Sequence, residues 1–208
     1  PHRNVGAGRQ RSQVRADTGG GDEAQPSGLD PRDECPVYAS SAESCDLRRN
    51  QLLAALPEAD RQRLWPQLEA VDLVAGQVLC EPGIPPTAVV FPITAIVSLL
   101  YLTQDGASSE LAVVGNDGVV GMALFMGGQV TTSRAVVQSA GRAWRLRAAA
   151  LQCEIARAGP LLECLLSYTQ ALMGQVMQTA ACNRHHSIDQ QLCRRLLLGL
   201  DRSSTAEI

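Results

Sequence analysis

The sequence predicts a mainly β fold, an antiparallel β-roll of the jelly-roll kind with helices on its flanks and a long helix behind it. Three observations carry the prediction. From Val71 to Leu146, short runs of Val, Ile, Leu and Phe are separated at close intervals by turn residues. No helical periodicity interrupts those runs, which argues against the alternating strands and helices of a βαβ sheet. From Pro160 onward the spacing of apolar residues changes to that of a helix and holds as far as Arg184.

Taken in chain order, residues 1–46 are rich in Gly, Ser, Arg, Asp and Pro, with "TGGGDEAQPSG" as their clearest low-complexity stretch. Such a composition cannot bury enough apolar surface to offset its ordering entropy, so this segment is expected to be disordered. Leu52, Leu53, Leu56, Leu64 and Leu68 then recur at helical spacing around Pro57, predicting two short amphipathic helices beneath the roll. Turns are expected at "AGQ", "EPG", "QDG", "GNDG", "MGGQ" and "SAG". Strands are expected at "AVVFPI", "AIVSLLYL", "ELAVV", "RAVVQ" and "AWRL" between them.

The long helix opens at Gly159-Pro160, where proline suits the first helical position because its missing N–H has no partner there. Roughly 36 Å of helix at 1.5 Å per residue is more than one face of a small roll needs. Leu165, Leu172, Val176 and Thr179 make a stripe along it, with Leu161, Tyr168, Met173, Met177 and Ala180 beside it. One side is therefore expected to pack on the roll and another on a partner helix, with those four stripe residues at a dimer interface. The helix breaks near "NRHHS", and Ser187 with Gln190 forms a capping box for a further helix whose apolar face is Ile188, Leu192, Leu196 and Leu200.

A net charge of −3 gives no bulk attraction to nucleic acid. No apolar run reaches the ~18 residues of a membrane span, and no secretory signal opens the sequence, so a cytoplasmic protein without membrane contact is expected. The seven cysteines are odd in number and scattered, with no C-x-x-C pair, which favours free thiols over a disulfide framework or zinc ribbon. Cys35 and Cys45 stand too far apart, and too few, for an iron–sulfur cluster.

"GQVLCEPGIPPTAVVFPITAIVSLLYLTQDGASSELAVVGNDGVVGMALFMGG", followed by "SRAVVQSAG", a long helix and a capped helix, resembles the sensor half of Crp/Fnr-type transcription regulators over about residues 48–202. The resemblance implies a cyclic-nucleotide-binding-like β-roll with N-terminal helices over 47–158 and a dimerisation helix over 159–184. Residues 187–208 would then be the first helix of a winged helix-turn-helix domain truncated before its DNA-reading part. On this expectation the chain is a homodimer and reaches DNA only through the missing C-terminal domain. A ligand-binding module that regulates an effector other than DNA is the alternative.

Members of the family that bind a cyclic nucleotide resemble one another in a phosphate-binding cassette. A Gly-Glu pair gives a carboxylate to the ribose, and an Arg before Ser/Thr-Ala pairs with the cyclic phosphate. Here Gly121 matches the glycine, Met122 stands where the glutamate is expected, and Ala123 follows. Ala135 matches the alanine, which puts Ser133 at the arginine position and Arg134 one residue late. A slip of one residue along a strand turns a side chain to the opposite face, so Arg134 is expected to be solvated or dimer-facing unless a bulge re-aims it. Loss of both charged partners predicts a pocket that does not take cyclic nucleotide in the usual way, while some other small-molecule effector stays open.

Enzymatic readings lack their residues. The roll contains no histidine, so neither a His-carboxylate metal site, nor a Ser-His-Asp arrangement, nor a haem axial pair can be assembled there. His185 and His186 read as a partly exposed polar turn. No catalytic residue, metal ligand or cofactor is expected.

Overall fold

The computed structural model describes residues 47–128 and 130–202, so the disorder expected of residues 1–46, with Cys35 and Cys45, lies outside the described residues. Helix α1 (Gln51–Ala55) begins where the buried Asn50 side chain accepts hydrogen bonds from the N–H groups of Leu52 and Leu53. Those bonds satisfy donors that a helix start leaves open. Pro57 ends this turn, and α2 (Glu58–Leu64) follows, then a 3-10 turn over Trp65–Gln67. Leu53, Leu56 and Leu64 are buried, as their spacing predicts.

Seven strands succeed one another: β1 (Leu68–Leu73), β2 (Val78–Cys80), β3 (Ala88–Pro92), β4 (Ile96–Leu102), β5 (Ser108–Val114), β6 (Arg134–Ser139) and β7 (Gly141–Arg147). They pair antiparallel in two sheets, β1-β7-β3 and β2-β6-β4-β5, giving the β-roll that the turn spacing predicts. The Val90–Val120 bridge ties β3 to the segment after β5. β1 starts at Leu68, which sequence periodicity places in a helix. Its register with β7, Leu68 opposite Leu146, shows the sheet claiming that leucine.

Helix α3 (Ala148–Ala156) is not among the expected elements. Three alanines favour helix there. Leu151 is fully buried, and the almost buried Glu154 receives the Arg63 guanidinium from α2, Nη2 to Oε2 at 3.0 Å. Helix α4 (Pro160–His185) follows; its 26 residues span about 39 Å at 1.5 Å per residue. Leu161 and Leu165 enter the core formed with Phe91, Trp144 and Leu146. Leu172 enters a second core, between the sheets, with Val97, Val114 and Val137.

Helix α5 (Ile188–Arg202) starts on the expected capping box, with Ser187 N–H donating to Gln190 Oε1 at 3.0 Å and Gln190 N–H to Ser187 Oγ at 3.4 Å. It folds back beside β5, where Arg195 pairs with Glu110 and Arg202 with Asp117, the latter at 2.8 Å. Its apolar residues Ile188, Leu192, Leu196 and Leu200 remain exposed. Among the described residues, no helix is long and apolar enough to cross a membrane.

Candidate ligand cavity

The site is built on a tight loop after β5. Gly118 N–H donates to Gly115 O at 3.1 Å, and the Asn50 amide donates to Pro92 O at 2.9 Å and Gly118 O at 3.0 Å. Tyr168 of α4 presses on the same loop: a β-carbon at Gly118 would meet its hydroxyl at 2.5 Å, so only glycine fits beneath the ring. From there Val119 and Val120 run to Gly121, whose φ of 101° lies in the left-handed region. A β-carbon at Gly121 would also stand 2.9 Å from Ala88 O, so the glycine serves the backbone. A 3-10 turn over Met122–Leu124 follows, and Gln152 of α3 donates to Leu124 O.

Between this turn and β6 lies a cavity of about 250 Å³. Gly121, Met122, Ala123, Ser133 and Ala135, five of the six pocket residues chosen from the sequence, line it together with Cys80, Leu99 and Met126. Thr131 fixes the far rim, its hydroxyl donating to Ser133 O at 3.1 Å and its carbonyl accepting from Gly83 N–H at 2.9 Å. None of the described lining residues is Arg, His, Asp or Glu. Burial raises the Cys80 thiol above its ordinary pKa, which keeps it protonated and uncharged at neutral pH.

Arg134 is the sixth residue, and it does not line the cavity. Ala135 sits in register with Cys80 on one side and Leu99 on the other, pointing inward, whereas Arg134 lies opposite Leu100 on the other face of β6. There it grips Glu81 with two hydrogen bonds, Nε to Oε2 at 2.9 Å and Nη2 to Oε1 at 2.7 Å. These bonds, and the attraction that comes with them, raise the guanidinium's pKa further. The nearby bulge belongs to β2, between Val78 and Cys80, and does not bring Arg134 round to the pocket. Arg134 is thus outward, as the one-residue slip implies, yet neither fully solvated nor on α4. Nothing in the sequence marks Glu81 as its partner, because 53 residues separate the two.

The expected interface stripe needs correction. Leu165 is fully buried and Leu172 only 5% exposed, both inside the chain's own cores. Val176 packs against the inter-sheet core, and the Thr179 hydroxyl donates to Gln175 O and accepts from Arg194 at 3.1 Å. Leu165, Leu172 and Val176 are thus taken up in covering the roll. The flank beside them points outward: Leu166, Met173 and Met177 are 49%, 58% and 65% exposed. A larger cavity, about 400 Å³, lies between β5, α4 and α5. It is a crevice lined by Ser108, Glu110, Gln175 and Arg195 and lies away from the Gly121–Ala135 region.

Residues 70–157 match the family of cyclic nucleotide-binding domains. Among solved structures, the c-di-GMP-responsive global regulator CLP of Xanthomonas campestris aligns with a TM-score of 0.58 at 16% identity, covering 73% of this chain and 75% of that one. A protein of Eubacterium rectale classed with the crp/fnr family of transcriptional regulators aligns with a TM-score of 0.62 at 12% identity, over 74% and 72% of the two chains. The regulatory subunit of a cAMP-independent protein kinase A from Trypanosoma brucei gives 0.53 at 15% identity over 61% of this chain, which spans 45% of that protein's length. None of the curated proteins matches the sequence. At these identities the neighbours establish the fold, and that fold is the cyclic nucleotide-binding type of β-roll with its long C-terminal helices.

Proposed function

We propose that this chain, whose residues 70–157 form a domain of the cyclic nucleotide-binding type, is the sensor and dimerisation part of a Crp/Fnr-like transcription regulator. The observation that carries the reading is the two-sided α4. One side is consumed by the roll through Leu161, Leu165 and Leu172, while Leu166, Met173 and Ala180 recur every seven residues on an exposed side with Met177 one turn beyond Met173. Apolar residues at that spacing form the seam of a helix pair, and a second copy of α4 supplies a matching partner.

A signal at the cavity would reach this seam over a short path. The Gly115–Gly118 turn joins the cavity wall at Val119 to Tyr168 on α4 and, through Asp117, to Arg202 on α5. A shift of the wall would therefore move the helix pair and α5, and with them a helix-turn-helix that the described residues do not include. In this role the chain works in the cytoplasm, performs no reaction, and touches DNA only through that further domain.

Cyclic nucleotide is not the signal on this reading, because Met122 and Ser133 occupy the two charged positions and Arg134 is committed to Glu81. Sedimentation equilibrium tests the dimeric regulator: a homodimer at micromolar concentration is expected. A chain that stays monomeric at high micromolar concentration would refute the seam and the transmission built on it.

A further inference from the structure

We infer that the cavity between Gly121 and Ala135 is a binding site for an uncharged, largely apolar small molecule of about two fused rings. The inference rests on the sensor reading above and assigns its ligand class.

Size sets the first limit. An apolar cavity of about 150 Å³ admits benzene, and this one holds about 250 Å³. Leu99, Val119, Val120 and Ala135 make its walls apolar, and the flexible thioethers of Met122 and Met126 can mould to a flat ring.

Charge sets the second limit. Among the described residues, no charged side chain lines the cavity. An anion entering here would lose its hydration and find no cation in the wall, since Arg134 lies on the other face of β6 and is already neutralised by Glu81. An apolar ring faces no such cost. The Ser133 hydroxyl, which makes no hydrogen bond to another described residue, offers one donor and one acceptor at the edge for a hydroxyl or carbonyl of the guest.

Exposure at the mouth points the same way. Met126 and Val130 line the cavity yet remain 52% and 43% exposed. A bound apolar guest would cover both, and this is the surface that hydrophobic burial rewards.

The chain has four methionines, which makes a direct test available. With 13C-labelled methionine methyl groups, the full 208-residue chain is titrated separately with 1-naphthol, with 1-naphthoate, which carries a carboxylate on the same rings, and with cyclic AMP. The expected result is saturable binding of 1-naphthol that shifts the Met122 and Met126 signals and leaves those of Met173 and Met177 in place. Naphthoate should bind at least about tenfold more weakly, a difference of about 1.4 kcal/mol. Val130→Trp, a change at the exposed mouth, should reduce 1-naphthol binding at least about fivefold with an unchanged melting temperature. Naphthoate binding as tightly as 1-naphthol, or no shift at Met122 and Met126 with any probe, overturns the ligand class while leaving the sensor reading intact. Saturable cyclic AMP binding at those two methionines overturns the ligand class and with it the exclusion of cyclic nucleotide as the signal, while the dimeric sensor stands or falls by sedimentation.

Discussion

Arg134 and Glu81 form a two-pronged ion pair across the β2–β6 edge, with contacts of 2.9 and 2.7 Å. The arginine one residue past the family's phosphate-pairing position is therefore occupied outside the cavity by a carboxylate just beyond the end of the neighbouring strand. Both side chains are about one-third exposed, so solvent screens the pair and its contribution to stability is small. Arg134→Ala should leave the urea-unfolding midpoint almost unchanged. A large drop in the midpoint would mean that the pair is a structural keystone.

The two sides of α4 should respond differently to charge. Leu172→Asp puts a carboxylate into the inter-sheet core and should destabilise the fold by roughly 3–5 kcal/mol. Met173→Asp, one residue along but 58% exposed, should keep the melting temperature of the isolated protomer while weakening the dimer in sedimentation runs. Equal effects of the two substitutions on folding would contradict the division of faces.

Tyr168 provides a pH dependence. Burial, and after it the Asp117 carboxylate, pushes its phenol above the ordinary value, against the N–H of Val119 and Arg202, which favour ionisation. A raised folded-state pKa on an acid means that folding resists deprotonation. The associated stability is complete below the unfolded pKa of about 10 and is lost as pH rises beyond it. The sequence contains no lysine, so tyrosines and thiols dominate titration in this range. Urea unfolding at pH 8 and pH 11 should show a loss of stability that is smaller in Tyr168→Phe. An identical loss in the variant would remove Tyr168 from the account.

The sequence displays what is local. Pro57 between two helices, the glycine turns of the roll, Pro160 at a helix start and the Ser187–Gln190 box are each contained in a few residues, and each stands where expected. The outward turn of Arg134 follows from strand period alone. Contacts between distant segments are less visible. Glu81 as the partner of Arg134, Asn50 clamping Pro92 and Gly118, and Asp117 meeting Arg202 all depend on how strands and helices are laid side by side. The two faces of α4 are indistinct in the sequence for the same reason: two adjacent apolar stripes look alike until the roll selects one. Helix α3 has no local boundary signal in the sequence because it follows β7 directly, without a turn residue to mark the change.

Titration calorimetry with cyclic AMP, on the native chain beside Met122→Glu/Ser133→Arg, tests the central claim most directly. Both positions face the cavity, so the double variant places a carboxylate and a guanidinium where family members that bind cyclic nucleotide carry them. The account predicts no measurable heat from the native chain at a nucleotide concentration of about 100 μM and a saturable signal from the double variant. A one-to-one site on the native chain with Kd below about 10 μM, roughly 7 kcal/mol of binding, would contradict it.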